Sequence, residues 1–360
     1  MAEYRAYVTD APRGKVEYRS VQISNENGNV MLKPLLTGIC GTDRGIARGA
    51  LPFAYNPSGY NFLVVGHESM CKVIESKSDY FKPGDIVVPI VRRPGDCPNC
   101  LIGRPDNCSD GNKHEAGITG LHGFMREMFM EQDFNLIKIK DKELGDLGVL
   151  TEPMKNVVKA FEVIERVSTR SIYQNNLSTM EGKTALIVGT GCEAFLYSFL
   201  SVDYGFDTFI SNRHPIGKTS LDMCKQFGVN FIDSSKEPDF PQKPLDLLID
   251  TSGDPGTVLK YLRKMNYNGI VILFGTNGKA PSTELTGEDI DHIVERNITI
   301  AGSVDAAKIH YMKALDYLSK WNRLHGDVMK TIITAYFNPG ETDVFTKKPD
   351  GEIKSVIKWQ

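Results

Sequence analysis

A short apolar run, Thr184–Val188, breaks at once on Gly189-Thr190-Gly191-Cys192-Glu193-Ala194 and restarts as a helical pattern. A strand that ends on glycines and turns straight into a helix admits few architectures, and the G-x-G-x-x-A spacing narrows them to a dinucleotide fold. The first glycine permits the tight turn, and the second lets the backbone approach a pyrophosphate. The helix N-terminus then offers amide donors and positive potential. Two glycines in isolation would be only a turn; the strand-turn-helix setting makes them a nucleotide site. Further apolar runs follow at Asp207–Ser211, Leu245–Asp250 and Gly269–Phe274, with helical stretches at Leu221–Phe227 and Thr257–Met265 between them. That alternation predicts an α/β domain with a doubly wound parallel sheet.

The end of the second strand chooses the cofactor. An NAD site places a carboxylate there to accept hydrogen bonds from the ribose hydroxyls. This chain reads Ser211-Asn212-Arg213-His214 instead. A neutral Asn removes repulsion, and a guanidinium offers a bidentate partner for a 2′-phosphate. Taken alone, Arg213 would be a solvated surface cation; after that strand it predicts NADP, with NAD secondary.

The first 150 residues have a different grammar. Short β-type runs such as Phe62–Val65 and Asp85–Pro89 are punctuated by Gly and Pro, which predicts a mostly β domain. Lys155–Val167 reads as a helix, as does Ala306–Trp321, and Glu352–Trp359 reads as a last strand. A chain of 360 residues suggests two domains. We expect a β-rich domain of residues 1–155 and 307–360, interrupted by a nucleotide domain of residues 156–306. No apolar run is long enough to span a membrane, and the N-terminus shows no signal-like segment, so a cytoplasmic protein is expected. A net charge of -3 gives no electrostatic reason to expect nucleic acid as a partner.

The β-rich part carries the candidate metal ligands. Cys40-Gly41-Thr42-Asp43 and Gly66-His67-Glu68 offer sulfur, imidazole and carboxylate, and Glu152 in Thr151-Glu152-Pro153 offers a second carboxylate. A catalytic zinc takes such donors and keeps one position open. Either Cys40 or His67 alone would read as an ordinary buried residue; together, upstream of a dinucleotide fold, they read as a centre in which Glu68 or Glu152 is the third ligand. A second set, Cys97-x2-Cys100-x7-Cys108, has the short spacing of a structural zinc site. Its fourth ligand must come from elsewhere: Asp110 by proximity, with Asp96 and His114 as rivals. Cys71 and Cys224 read as small buried hydrophobes.

Cys-Gly-Thr-Asp, Gly-His-Glu, the cysteine lobe (about 92–116) and the glycine fingerprint occur in the order of the zinc-containing medium-chain dehydrogenases. Cys40–Gly45, Val91–Gly95, His114–Gly117, Gly123–Glu127, Thr151–Pro153 and Gly351–Lys354 resemble the archaeal glucose 1-dehydrogenases among them. The resemblance spans the whole chain. It implies a GroES-like catalytic domain beside the Rossmann domain, zinc at both cysteine sites, and oxidation of an aldose, with D-glucose first and D-galactose among the others. Hydride would pass to NADP, and the enzyme would be a homotetramer or dimer. It also implies roles: Cys40, His67, Glu68 and Glu152 at the catalytic zinc; Thr42 at the reacting oxygen; Glu115, Glu152 and Asp305 toward the sugar; Asn212, Arg213 and His214 around the 2′-phosphate. Phe274, Gly275, Thr276, Ser303, Val304 and Asp305 would line the nicotinamide side. Four departures stand out: Gly45 replaces a proton-relay histidine, Pro94 replaces the first lobe cysteine, Ile90 or Val91 replaces a sugar-contacting Asn, and Glu295 replaces a His. Polyol, threonine and simple alcohol dehydrogenases on the same scaffold, and a redox-sensing NADP-binding protein without turnover, are the alternative readings.

Overall fold

Every residue of Thr184–Val188 is buried, as a central parallel strand with both faces covered must be. In the computed structural model, which describes residues 3–12, 14–24, 27–111, 114–170, 180–237, 239–277 and 280–359, this strand lies inside a six-stranded parallel sheet. The order is Asn230–Asp233, Asp207–Asn212, Thr184–Val188, Leu245–Asp250, Met265–Leu273, Thr299–Gly302. Strand order therefore reverses on either side of Thr184–Val188, and in such sheets ligands bind outside the carboxyl ends at that switch point.

The chain divides into two units, Met1–Lys155 with Asp305–Gln360, and Asn156–Val304. The return to the first unit falls at Asp305 rather than at 307, because Asp305 is tied to Arg92 and Lys155 of that unit.

The long strand Val30–Ile39 organises the first unit. It pairs antiparallel with Glu68–Ser76 on one side and with Lys354–Lys358 on the other. The sheet continues outward to Ile86–Pro89 and Leu136–Lys138 at one end and Ile333–Phe337 at the other. Tyr7, Ile39, Val65, Met125, Phe345 and Trp359 pack into one of its cores. The C-terminal segment is thus part of the same sheet that carries the candidate zinc ligands.

Several expected boundaries move. The helix expected over Thr257–Met265 is Pro255–Leu262, started by Asp254, whose side chain accepts from the Thr257 amide at 3.2 Å. Met265 instead opens the strand Met265–Leu273. The helix expected from Ala306 to Trp321 runs Lys308–Lys330. The last strand is Lys354–Lys358; Glu352 is drawn out of it by a two-pronged ion pair with Arg44, both distances 2.8 Å. No helix among the described residues is long and apolar enough to cross a membrane.

Candidate metal centres and nucleotide site

Register in the central sheet builds the first centre. Gly38 sits opposite Glu68 on one side and Val356 on the other. A Cβ on Gly38 would lie 2.0 Å from Glu68 Oε2 and 2.9 Å from Lys354 Cε. Only glycine therefore leaves room for the Glu68 carboxylate to pair with the Lys354 ammonium, and both side chains are fully buried. Two residues on, the strand ends and Cys40 caps the helix Gly41–Ala47. A ligand atom from each of Cys40, His67 and Glu68 lies within 4.8 Å of the others. Gly66 is equally constrained: its φ is +88°, and a Cβ there would meet the Met125 side chain at 2.3 Å.

Asp43 holds the pieces together. Its carboxylate accepts from the Cys40 amide at 2.9 Å and the Gly66 amide at 3.2 Å, and lies 3.4 Å from His67 Nδ1. Burial works to raise the Asp43 carboxyl, but the charge and hydrogen bond of His67, the Cys40 amide and Lys354 outweigh it, so it stays below its ordinary range. Burial works against a charged His67, yet Asp43 and Cys40 hold its imidazole well above the usual value. A histidine oriented through Nδ1 by a carboxylate, beside a sulfur and a second carboxylate, is a donor set suited to zinc. Thr42 is half-buried, with Oγ1 3.8 Å from Cys40 Sγ.

Glu152 lies outside this compact set. It opens the helix Thr151–Ser168 and pairs with Lys155 at 3.0 Å. Glu115 is held by Arg92 at 2.6 Å and by the Thr119 hydroxyl at 3.1 Å. Asp305 is buried, with φ +64°, and meets both Arg92 and Lys155. Neither Arg92 nor Lys155 is marked as a site residue by the sequence; the fold brings them between the three acids. Gly45 is buried, and a Cβ there would press on the Leu51 side chain at 2.8 Å.

The second centre is local. Cys97, Cys100 and Cys108 converge within 4.8 Å, and the Cys97 and Cys100 sulfurs are 3.6 Å apart. Tetrahedral Zn–S bonds of about 2.3 Å separate neighbouring sulfurs by about 3.8 Å. The Gly95 amide donates to Cys100 Sγ at 3.3 Å and the Ser109 amide to Cys97 Sγ at 3.4 Å. Hydrogen bonds from Ser109 and Cys100 lower the Cys97 thiol to about 6, whereas burial pushes Cys100 up to about 11. Asp110 Oδ1 lies 2.9 Å from Cys108 Sγ, touching one sulfur of the trio. Asp96 and His114 are outside the convergent set.

In the second unit, Gly189 has φ +112°, and a Cβ there would strike Thr251 Oγ1 at 2.3 Å. Gly191 caps the helix Cys192–Asp203, and a Cβ on it meets nothing within 4 Å, an open approach to the helix amides such as a pyrophosphate requires. Thr190 lies in the turn between the two glycines and Glu193 in the first helical turn. Asn212 ends its strand and donates to the His214 carbonyl at 3.1 Å. Arg213 is largely exposed, 3.6 Å from Asp254. Asp233, the acid opposite Asn212, is engaged by Ser235 at 2.6 Å and Lys236 at 3.5 Å. The Phe274 and Gly275 amides donate to the Asp250 carbonyl, and Gly275 packs so close to Gly253 that a Cβ would lie 2.4 Å from its nitrogen. Thr276 follows in the same loop. Ser303 is buried, its amide bonded to the Leu273 carbonyl, while Val304 is exposed.

Residues 26–141 match the alcohol dehydrogenase GroES-like domain, and residues 145–359 match the glucose dehydrogenase C-terminus. The chain belongs to the glucose dehydrogenase family. It is 58% identical to glucose 1-dehydrogenase of Thermoplasma acidophilum across the whole of both chains. With glucose 1-dehydrogenase of Metallosphaera sedula it shares 39% identity, over 99% of this chain and 98% of that one. Among solved structures, Haloferax mediterranei glucose dehydrogenase in complex with NADP, Zn and gluconolactone superposes with a TM-score of 0.85 at 24% identity, covering 99% of each chain. That likeness establishes the fold: a GroES-like domain with a Rossmann sheet.

Proposed function

We propose that this family member is a glucose 1-dehydrogenase, oxidising D-glucose at C1 to the 1,5-lactone with NADP+ as acceptor. The convergence of Cys40, His67 and Glu68, in a chain 58% identical from end to end to a glucose 1-dehydrogenase, carries the reading. Bound at these sites, zinc supplies Lewis acidity toward the C1 hydroxyl and NADP+ supplies the hydride acceptor. Cys40 and His67, with Glu68 or Glu152, hold the catalytic ion; thiolate and carboxylate together balance its charge. Thr42 orients the C1 hydroxyl and relays its proton, passing its own hydroxyl proton on toward solvent as it accepts the one from C1, because position 45 carries glycine rather than a relay histidine. Glu115 and Glu152 accept from sugar hydroxyls, as ionised carboxylates do strongly, and Asp305 stands beside them. Cys97, Cys100 and Cys108, with Asp110, hold a structural zinc.

The second unit binds the cofactor. Gly189, Thr190, Gly191, Cys192 and Glu193 receive the pyrophosphate at the helix N-terminus. Asn212, Arg213 and His214 surround the 2′-phosphate, and Arg213 is exposed enough to reach it. Phe274, Gly275, Thr276, Ser303 and Val304 line the nicotinamide side.

The protein works as a homo-oligomer, a dimer or tetramer. Thr299–Gly302 is the outermost strand of its sheet and carries exposed Ile300, a strand edge that soluble proteins usually cover. A cytoplasmic location suits seven cysteines none of which is paired in a disulfide. Initial rates with glucose, galactose, sorbitol, threonine and ethanol, each with NADP+ and NAD+, test the reading. Glucose with NADP+ should be fastest, and a chelator should abolish the rate until zinc is restored. A rate on ethanol or threonine exceeding that on glucose, or activity indifferent to chelation, would overturn it.

A further inference from the structure

Five charged side chains of the first unit form one alternating row. Glu115 Oε1 accepts from Arg92 Nη2 at 2.6 Å and from Nε at 3.2 Å. The same guanidinium meets Asp305 Oδ2. Asp305 Oδ1 accepts from Lys155 Nζ at 3.2 Å, and Lys155 lies 3.0 Å from Glu152 Oε1. Arg92, Asp305, Lys155 and Glu152 are each at most 5% exposed at the side chain, and Glu115 is 16% exposed. Desolvating so many charges is costly before pairing offsets it, and apolar side chains could have filled the same space at lower cost. Asp305 also adopts a φ that non-glycine residues rarely take. Burial and an unusual backbone at one junction indicate a requirement beyond stability.

Resting on the assignment of Glu115 and Glu152 to the sugar, we infer that Arg92 and Lys155, bridged by Asp305, are positioning residues that make those two carboxylates a single rigid sugar-reading pair. A guanidinium suits the Arg92 position because its fork serves two carboxylates at once; an ammonium offers no such planar fork. Three further holds fix the row. Arg92 Nη1 donates to the Pro105 carbonyl at 3.3 Å, Lys155 lies 5.8 Å from the Tyr311 ring centroid, and the Tyr311 hydroxyl accepts from the Val91 amide at 3.1 Å. The two acids cannot shift independently, so recognition of the hydroxyls they contact is cooperative.

The test uses full-length, zinc-loaded enzyme. Arg92→Gln should raise the KM for glucose at least ten-fold, lower kcat less, and leave the KM for NADP+ and the zinc content unchanged. Arg92→Lys should fail to rescue it. Lys155→Gln should also raise the glucose KM, and the double variant Arg92→Gln/Lys155→Gln should resemble the worse single variant rather than multiply the two effects. Thr119→Val removes the second hold on Glu115 without leaving a charge unpaired, so it keeps the idea testable should Arg92→Gln not fold; a two- to five-fold rise in glucose KM is expected. Unchanged glucose KM in Arg92→Gln or Thr119→Val, or multiplicative effects in the double variant, overturns the inference while wild-type glucose oxidation stands. A wild-type enzyme inactive on glucose overturns the functional reading instead.

Discussion

The first unit holds two candidate cation sites built on opposite plans. The lobe site takes Cys97, Cys100 and Cys108 from one short loop, with Gly95 and Ser109 amides pointing at the sulfurs. The other takes Cys40 from the end of one strand, and His67 and Glu68 from the start of its neighbour, and braces them with Lys354 from a third. A local site can form wherever its loop forms. A distributed site exists only when the sheet register is right, so its geometry is as precise as the sheet and as vulnerable. On the proposed function, that precision suits the site that would hold the reacting group, while the lobe would need only to close a loop.

The sharpest way to break this contrast is to remove one ligand from each site. Cys40→Ala or His67→Ala should reduce turnover by about a thousand-fold or more, since the chemistry depends on the cation held there, and should lower zinc from two ions per chain to one. NADP+ affinity, carried by the other unit, should change little. Cys100→Ser should also release one zinc, yet lower the melting temperature by several degrees while kcat falls less than ten-fold. Elemental analysis with a thermal melt and initial rates checks both. The contrast fails if the lobe variant loses turnover as completely as the Cys40 variant.

The same division explains what could be read from the chain. C-x2-C spacing is a local fact, and so is a strand that breaks on Gly189 and Gly191; both were legible because neighbours in sequence do the work. The strands Thr184–Val188 and Leu245–Asp250 were legible for the same reason, each gathering its apolar residues within a few neighbouring positions. Arg92 and Lys155 were not, because a buried cation looks like a surface one until the fold shows which acids face it. Glu352 was mistaken for a strand residue because its apolar neighbours continue the pattern; its pairing with Arg44 is long-range. The helix beginning at Pro255 was placed two residues late although its start is locally written, Asp254 as the cap and Pro255 at the first turn.

Glycine substitutions sharpen the contrast at lower cost. Gly38→Ala puts a methyl on the Glu68 carboxylate. Overpacking of that kind costs about 1–3 kcal/mol, and here it should also weaken zinc at the distributed site, seen as easier stripping by a chelator. Gly103 in the lobe has φ +81° but open space around its Cβ. Gly103→Ala should cost only the strain of the left-handed backbone, about 1 kcal/mol, and leave both zinc ions in place. Equal loss of catalytic-site zinc in the two variants would show that the close approach at Gly38 is not what holds Glu68.

The smallest effect concerns the wall behind the distributed site. His122 Nδ1 accepts from the Val64 amide at 3.1 Å, which fixes the neutral ring, and the imidazole stacks on Phe62 with centroids 5.1 Å apart. Burial, with the nearby Arg126 charge, pushes its pKa down to about 3 from 6.5. The folded state thus binds a proton less readily than the unfolded chain. Stability is intact above the unfolded value and declines as pH falls through 6.5 toward 3. Between pH 7 and pH 5.5 this amounts to about 1 kcal/mol. In His122→Asn the amide oxygen takes over the bond from Val64 but does not titrate. Denaturant midpoints should therefore fall less with acid in the variant than in the wild type over that range. Parallel acid slopes would mean that His122 is not the group through which protons reach this wall.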